Sequence, residues 1–182
     1  MKTIFITYNP KSEAERTLAT RLHTIGVASG FKMYLPDRFN SEAILSEETK
    51  IRISQSNYVV LFSISPLSSV VKQEIDYAFN YLNDKSKIIV IYDKHKGKNL
   101  KGDITNHFTA FYHDDQTQDA LLKELLETIT HKEQVEASKK QSERIQELQK
   151  DIDKRKKENA ALLGLLGVGL GLLILSGGTS NK

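Results

Sequence analysis

The sequence predicts a doubly wound α/β domain on a five-stranded parallel sheet, followed by a charged helical stalk and a hydrophobic tail. Three observations carry that expectation. Along residues 1–130, short runs of β-branched and aromatic residues alternate with segments whose apolar positions recur at helical spacing. Two of the runs, NYVVLFSI (57–64) and KIIVIYD (87–93), are almost continuously apolar, as parallel strands covered on both faces must be. From His131 the alternation stops, and 16 of the next 29 residues are charged with no Gly or Pro among them.

The elements follow in order. TIFITY (3–8) is a strand closed by Asn9 and Pro10. A helix starts after Ser12, with Ala14, Leu18, Leu22 and Ile25 on one face and Gly26 as its stop. Ser12 and Glu15 have the spacing of a capping box. FKMYL (31–35) is the second strand, PDRFNSE a loop, and 43–55 a helix with a less regular apolar face. After strand 57–64, SSVVKQEIDYAF places Val70, Val71, Ile75, Ala78 and Phe79 on a helix that runs to about Leu82. Strand 87–93, a Lys- and Gly-rich loop, strand FTAFYHD (108–114) and helix DALLKELLETI (119–129) complete the unit. In such sheets ligands gather beyond the carboxyl ends of the strands, here Tyr8–Pro10, Leu35–Asn40, Ser63–Pro66 and Asp93 onward.

Residues 131–159 read as a solvated stalk, with Ile145, Leu148 and Ile152 as a short coiled-coil seam. Residues 160–178 carry no charge and span about 28 Å as a helix, near the roughly 30 Å of a hydrocarbon core. Lys154–Lys157 (KRKK) precede them and only Lys182 follows. The expectation is a single-pass transmembrane helix with the α/β domain on the cytoplasmic side of an inner or plasma membrane and residues 179–182 beyond the bilayer. Gly167 and Gly171 offer close helix contacts there.

Charge and motifs exclude several classes. Residues 1–130 hold 16 basic and 16 acidic side chains, so the formal charge of +3 lies outside the α/β part and implies no nucleic-acid partner. The absence of cysteine removes thiol catalysis and cysteine-bound zinc, and the five histidines have no metal-ligand spacing. Neither GxxxxGK[ST], GxGxxG after the first strand, nor GxSxG occurs, so no cofactor is expected. What remains is Glu74, an acid amid the apolar positions of the helix that follows a central strand. One carboxylate without a partner acid suits a bond whose leaving group departs readily, such as the N-glycosidic bond of a cationic pyridinium. There it faces the positive charge that develops on the ribose and stabilises the transition state more than the ground state.

IFITYNPKSEAERTLATRL, KMYLPDRFNSEAILSEETKIRISQSNYVVLFSISP and SVVKQEIDYAF together resemble, over residues 1–130, the ordered motifs of bacterial Toll/interleukin-1 receptor (TIR) domains. Glu74 stands at the position of that family's catalytic glutamate and Ala78 where a small residue packs, whereas Val70 replaces its usual aromatic residue. The resemblance implies a flavodoxin-like fold and an NAD nucleosidase that releases nicotinamide and ADP-ribose or a cyclic form, with NAD as substrate. It implies that Glu74 is catalytic, that Tyr8, Asn9, Pro10, Arg38, Ser63 and Ser65 line the substrate, and that Asp37, Arg38 and Phe39 form an assembly loop. It further implies a defence effector activated by clustering, a homo-oligomer through the domain, stalk and tail. Two alternatives accompany it: a non-enzymatic scaffold acting through homotypic contacts, and a nucleoside transferase that also uses a lone glutamate.

Overall fold

In the computed structural model, residues 2–38, 44–95, 108–113 and 118–176 are described, without the side chains of 112 and 158–176. The chain divides into two compact units, Met1–Thr128 and Ile129–Lys182. The first holds five strands, β1 (Thr3–Thr7), β2 (Lys32–Tyr34), β3 (Tyr58–Ser63), β4 (Ile88–Asp93) and β5 (Thr109–His113). Its helices are α1 (Glu13–Ala28), α2 (Glu47–Ser54), α3 (Ser69–Tyr81) and the start of α4 (Gln118–Ser176). All strand pairs are parallel and the order is β2-β1-β3-β4-β5, the flavodoxin-like arrangement that the alternating pattern predicts.

Strand parity sorts the core into two layers. Phe5, Val59, Leu61, Val90 and Tyr92 point to one face, where they pack with Ile53 of α2 and Val70, Val71, Ile75 and Ala78 of α3. The alternate residues Ile4, Ile6, Val60, Phe62, Ile89 and Ile91 are fully buried on the other face, where α1 buries Leu18 and Leu22 and α4 buries Leu122 and Leu125. An Arg21–Asp119 ion pair at 3.4 Å joins those two helices at the surface. Burial on both faces is why β3 and β4 read as unbroken apolar runs.

Glycine placement differs from the expectation. Gly26 lies inside α1, which runs on to Ala28, and a Cβ there would meet Met33 Sδ at 2.5 Å. Its role is to let α1 approach β2. The stop is made by Gly30, at φ 85°, with Gly30 N–H donating to the Val27 carbonyl and Phe31 N–H to the Gly26 carbonyl. These two bonds form the Schellman closure, which needs the left-handed conformation glycine adopts without strain. Residue 43, the first of the expected second helix, and 96–107, most of the Lys- and Gly-rich loop, lie outside the described residues.

The second unit is helical to Ser176. Among the described residues no helix is long and apolar enough to cross a membrane, which overturns the transmembrane tail, the lipid-bilayer partner and the single-pass membrane localisation. The physical reason is length. The strictly apolar stretch 160–175 would cover about 24 Å as a helix, and extending it towards the N-terminus brings in Glu158 and Lys157.

Candidate functional site

The sheet order reverses direction between β1 and β3, and the crevice beyond that pair is where open α/β sheets bind ligands. Thr7 ends β1 and Ser63 ends β3, both fully buried. They share the parity of Phe5 and Leu61, so they face α3. Glu74 occupies the inward stripe of α3 one turn after Val70 and Val71, and its spacing therefore delivers it to that crevice with only 1 % exposure.

Two groups meet the Glu74 carboxylate, both on Oε2. The Thr7 hydroxyl donates to it, and Arg38 Nη2 pairs with it at 3.0 Å. Oε1 is buried with no hydrogen-bond partner among the described residues. Burial pushes the Glu74 carboxyl up to about 7, over the opposing pull of the Arg38 guanidinium and the Thr7 hydroxyl. The group is thus poised to change protonation near neutral pH, the condition a working acid or base needs.

Arg38 is held in place by the loop that carries it. Asp37 N–H donates to Thr49 Oγ1 at 2.9 Å, and the Ser46 hydroxyl donates to the Asp37 carbonyl at 3.2 Å. Ser46 is also the N-cap of α2, accepting from Thr49 N–H at 3.1 Å, so the helix start and the loop are one assembly. Arg52 Nη1 ties the same loop back through the Leu35 carbonyl at 2.8 Å. The guanidinium of Arg38 lies 5.1 Å from the centre of the Tyr8 ring, a cation–π contact.

The predicted site residues therefore part company. Glu74, Arg38 and Tyr8 come together, and Ser63 ends the adjacent strand. Arg38, expected in an assembly loop, is turned inward with its side chain 11 % exposed. Asp37 contributes its backbone to the clamp, and Phe39 lies outside the described residues. Asn9, Pro10 and Ser65 belong to a turn. The Asn9 carbonyl accepts from Ser12 N–H at 3.0 Å across Pro10, and its side-chain amide donates to Ser65 Oγ at 3.2 Å and the Pro66 carbonyl at 2.8 Å. Ser68 takes the N-cap position of α3, yet its hydroxyl makes no cap bond.

Sequence reasoning missed two residues. Thr7 passed as one more β-former, and only the parity of β1 marks it as facing the acid-bearing helix. Glu15 passed as half of a capping box. Ser12 Oγ does accept from Glu15 N–H at 3.3 Å, but the carboxylate reaches elsewhere. Fully buried, it accepts from Asn9 N–H (2.6 Å), Ile64 N–H (3.0 Å), Ser65 N–H (2.6 Å) and the Ser65 hydroxyl (2.8 Å). That bracket binds the loop after β1 to the loop after β3.

On the opposite face a cavity of about 440 Å³ is lined by Glu13, Thr17, Ile64, Asp93, His113 and Gln118, among others. It does not include Glu74. Among the described residues no cluster of His, Cys, Asp and Glu could hold a metal ion.

No family model and no curated protein matches the chain. The assignment to the TIR family, and with it the membrane-anchored effector and its homotypic assembly, is therefore not upheld. The motifs behind it are short strand and helix patterns that a flavodoxin-like sheet imposes by itself. Among solved structures, the chain is similar to a CMP N-glycosidase of Clostridium botulinum, at 18% identity and a TM-score of 0.49 over 68% of this chain and 97% of that one. It is similar also to a flavodoxin-like domain from Synechococcus sp., at 17% identity and 0.46 over 66% and 89%. Both scores lie below 0.5, so neither likeness bears on the chemistry.

Proposed function

We propose that the chain hydrolyses the N-glycosidic bond of a ribosyl compound, with Glu74 as the carboxylate that faces the ribose. The observation that carries this reading is the state of Glu74: buried in the β1/β3 crevice, with Oε1 unpartnered among the described residues and its protonation balanced near pH 7. As the bond to the base lengthens, positive charge gathers on C1′ and the ring oxygen, and water then adds at C1′, its proton going to the departing base or, where the base leaves neutral, to solvent. An ionised carboxylate in a site shielded from water stabilises that charge far more strongly than it could in bulk solvent. Arg38 and the Thr7 hydroxyl hold Oε2, which leaves Oε1 to accept from a ribose hydroxyl. The Tyr8 ring, beneath the guanidinium, gives the crevice an apolar wall. The nicotinamide–ribose bond of NAD is the finer form of this reading, because its leaving group departs neutral without a general acid.

The test is product chromatography. The full chain is incubated with free nucleosides, nucleoside 5′-monophosphates, NAD and NADP, beside the Glu74→Gln protein. Release of a free base or nicotinamide from at least one substrate, reduced about a hundredfold or more in Glu74→Gln, is the expected result. No release from any of them, or undiminished release by Glu74→Gln, overturns the reading.

A further inference from the structure

The Arg38–Glu74 pair is only half closed. Two groups that met solely to neutralise one another would form the two parallel bonds that a guanidinium and a carboxylate match so well. Here a single nitrogen, Nη2, meets a single oxygen, Oε2. Among the described residues Oε1 of the acid has no partner, and neither have Nε and Nη1 of the base, all buried. Nε and Nη1 carry three of the five N–H bonds of a guanidinium. Buried donors of a charged group left without acceptors are costly, and native structures keep them where something else supplies the acceptors. The side chain is also pre-set for such a partner: the Asp37 backbone is clamped to Ser46 and Thr49, and the guanidinium makes a cation–π contact with Tyr8.

We infer that the unused N–H groups of Arg38 receive a phosphate of the substrate, so that the N-glycoside cleaved here is a phosphorylated nucleoside and not a free one. This rests on the N-glycoside hydrolase reading of the same crevice. One residue pair then divides the substrate: Glu74 Oε1 takes the ribose, and the phosphate takes the second N–H of Arg38 Nη2 together with the N–H of Nε or of Nη1 beside it. A neutral nucleoside has hydroxyls for the carboxylate but no anion for the fork, whereas phosphate oxygens match the planar donors two at a time. Charge agrees. With burial raising Glu74 towards neutrality, the arginine is left only partly compensated, and an anion restores the balance. Both a nucleoside 5′-monophosphate and the diphosphate of a dinucleotide offer this chemistry.

The test separates phosphate recognition from bond cleavage. Calorimetric titration of the full chain with ribose 5-phosphate and with ribose should show the phosphorylated sugar binding at least tenfold tighter. Arg38→Gln should erase the difference, and Arg38→Lys, which keeps the charge but not the fork, should erase most of it. Glu74→Gln should keep or strengthen it, since it removes the negative charge beside the arginine. Circular dichroism checks that each variant folds, and if Arg38→Gln does not, Arg38→Lys decides. Equal binding of the two sugars by the wild-type chain, including none of either, overturns the inference, as does a preference that survives loss of the fork. Preference for ribose 5-phosphate without release of base from any substrate would sink the hydrolase reading and leave the phosphate site standing. Equal release from free and phosphorylated nucleosides would do the reverse. Comparing release from monophosphates and from NAD tells the two phosphate sources apart.

Discussion

Glu15 and Glu74 sit in the same unit, each facing a loop at the carboxyl ends of β1 and β3, and each is withdrawn from solvent. Their surroundings could hardly differ more. Glu15 accepts four hydrogen bonds, three of them from backbone N–H groups, and both of its oxygens are used. Glu74 uses one oxygen, for Thr7 and Arg38, and its other oxygen has no partner among the described residues. A carboxylate surrounded by fixed amide donors has its lone pairs committed to holding loops together, and no substrate can engage them without breaking the fold. A carboxylate with an idle oxygen, whose protonation burial has brought near neutral pH, has capacity left for another molecule. Burial of an acid is common to both sites, and the bond count is what separates them.

Crossed substitutions test that division, and the largest effect is expected at Glu74. Glu74→Gln should lower turnover of the responsive substrate by about 10²–10⁴-fold while the chain remains folded. Glu15→Gln should do the opposite in kind. It replaces an acceptor oxygen with an amide NH2, a donor that faces backbone donors, at a cost of about 2–4 kcal/mol in urea denaturation. Activity should fall only as far as the crevice loosens. If Glu15→Gln lost turnover without losing stability, the two roles would have been assigned backwards.

Stability against pH sharpens the comparison. An unfolded glutamate titrates at about 4.3, and the folded Glu74 at about 7. The folded state therefore binds the proton more tightly. That contribution is fully present below about pH 4 and is lost as pH rises through about 7. Between about pH 4.5 and 8 the wild type should lose on the order of 3 kcal/mol relative to Glu74→Gln. Base release should move the other way, climbing about tenfold per pH unit and levelling off above about 7, because the ionised form faces the ribose. Parallel pH dependence of wild type and Glu74→Gln in denaturation would show that Glu74 carries no such shift.

The smallest effect belongs to Thr7. Thr7→Val keeps the shape and removes the hydroxyl donor, at a cost of about 1 kcal/mol. One of the two groups that lower the Glu74 carboxyl is then gone, so the midpoint of the activity profile should move to higher pH. A midpoint that moves down or stays would mean that the hydroxyl does not stabilise the ionised acid.

Much of this was legible in the chain as written. The apolar runs at 57–64 and 87–93, the 3.6-residue spacing of Val70, Val71, Ile75 and Ala78, and the alternation of the two patterns determine a parallel sheet with helices on both faces, because only that arrangement buries all of them. They also place Glu74 on an inward stripe after a central strand. Other features were misread for local reasons. Gly26 resembled a helix stop because glycine most often ends helices, but the approach of Met33 from a different element is what requires it. The uncharged tail resembled a membrane span because charge and hydropathy are local properties, whereas its apolar length falls short of a bilayer.

Only the tertiary structure decided what the acid at 74 is. Arg38 lies 36 residues away and Thr7 lies 67 away, and no spacing rule links positions so distant. Their meeting depends on strand order, on the parity that turns Thr7 towards α3, and on the clamp that turns the Arg38 loop inward. Hydrogen-bond satisfaction is likewise a property of the folded neighbourhood, so sequence marks Glu15 and Glu74 alike as acids on helices. Three-dimensional packing surrounds one with amides and leaves the other with an oxygen that has no partner among the described residues, in a buried crevice where withdrawal from water raises its pKa.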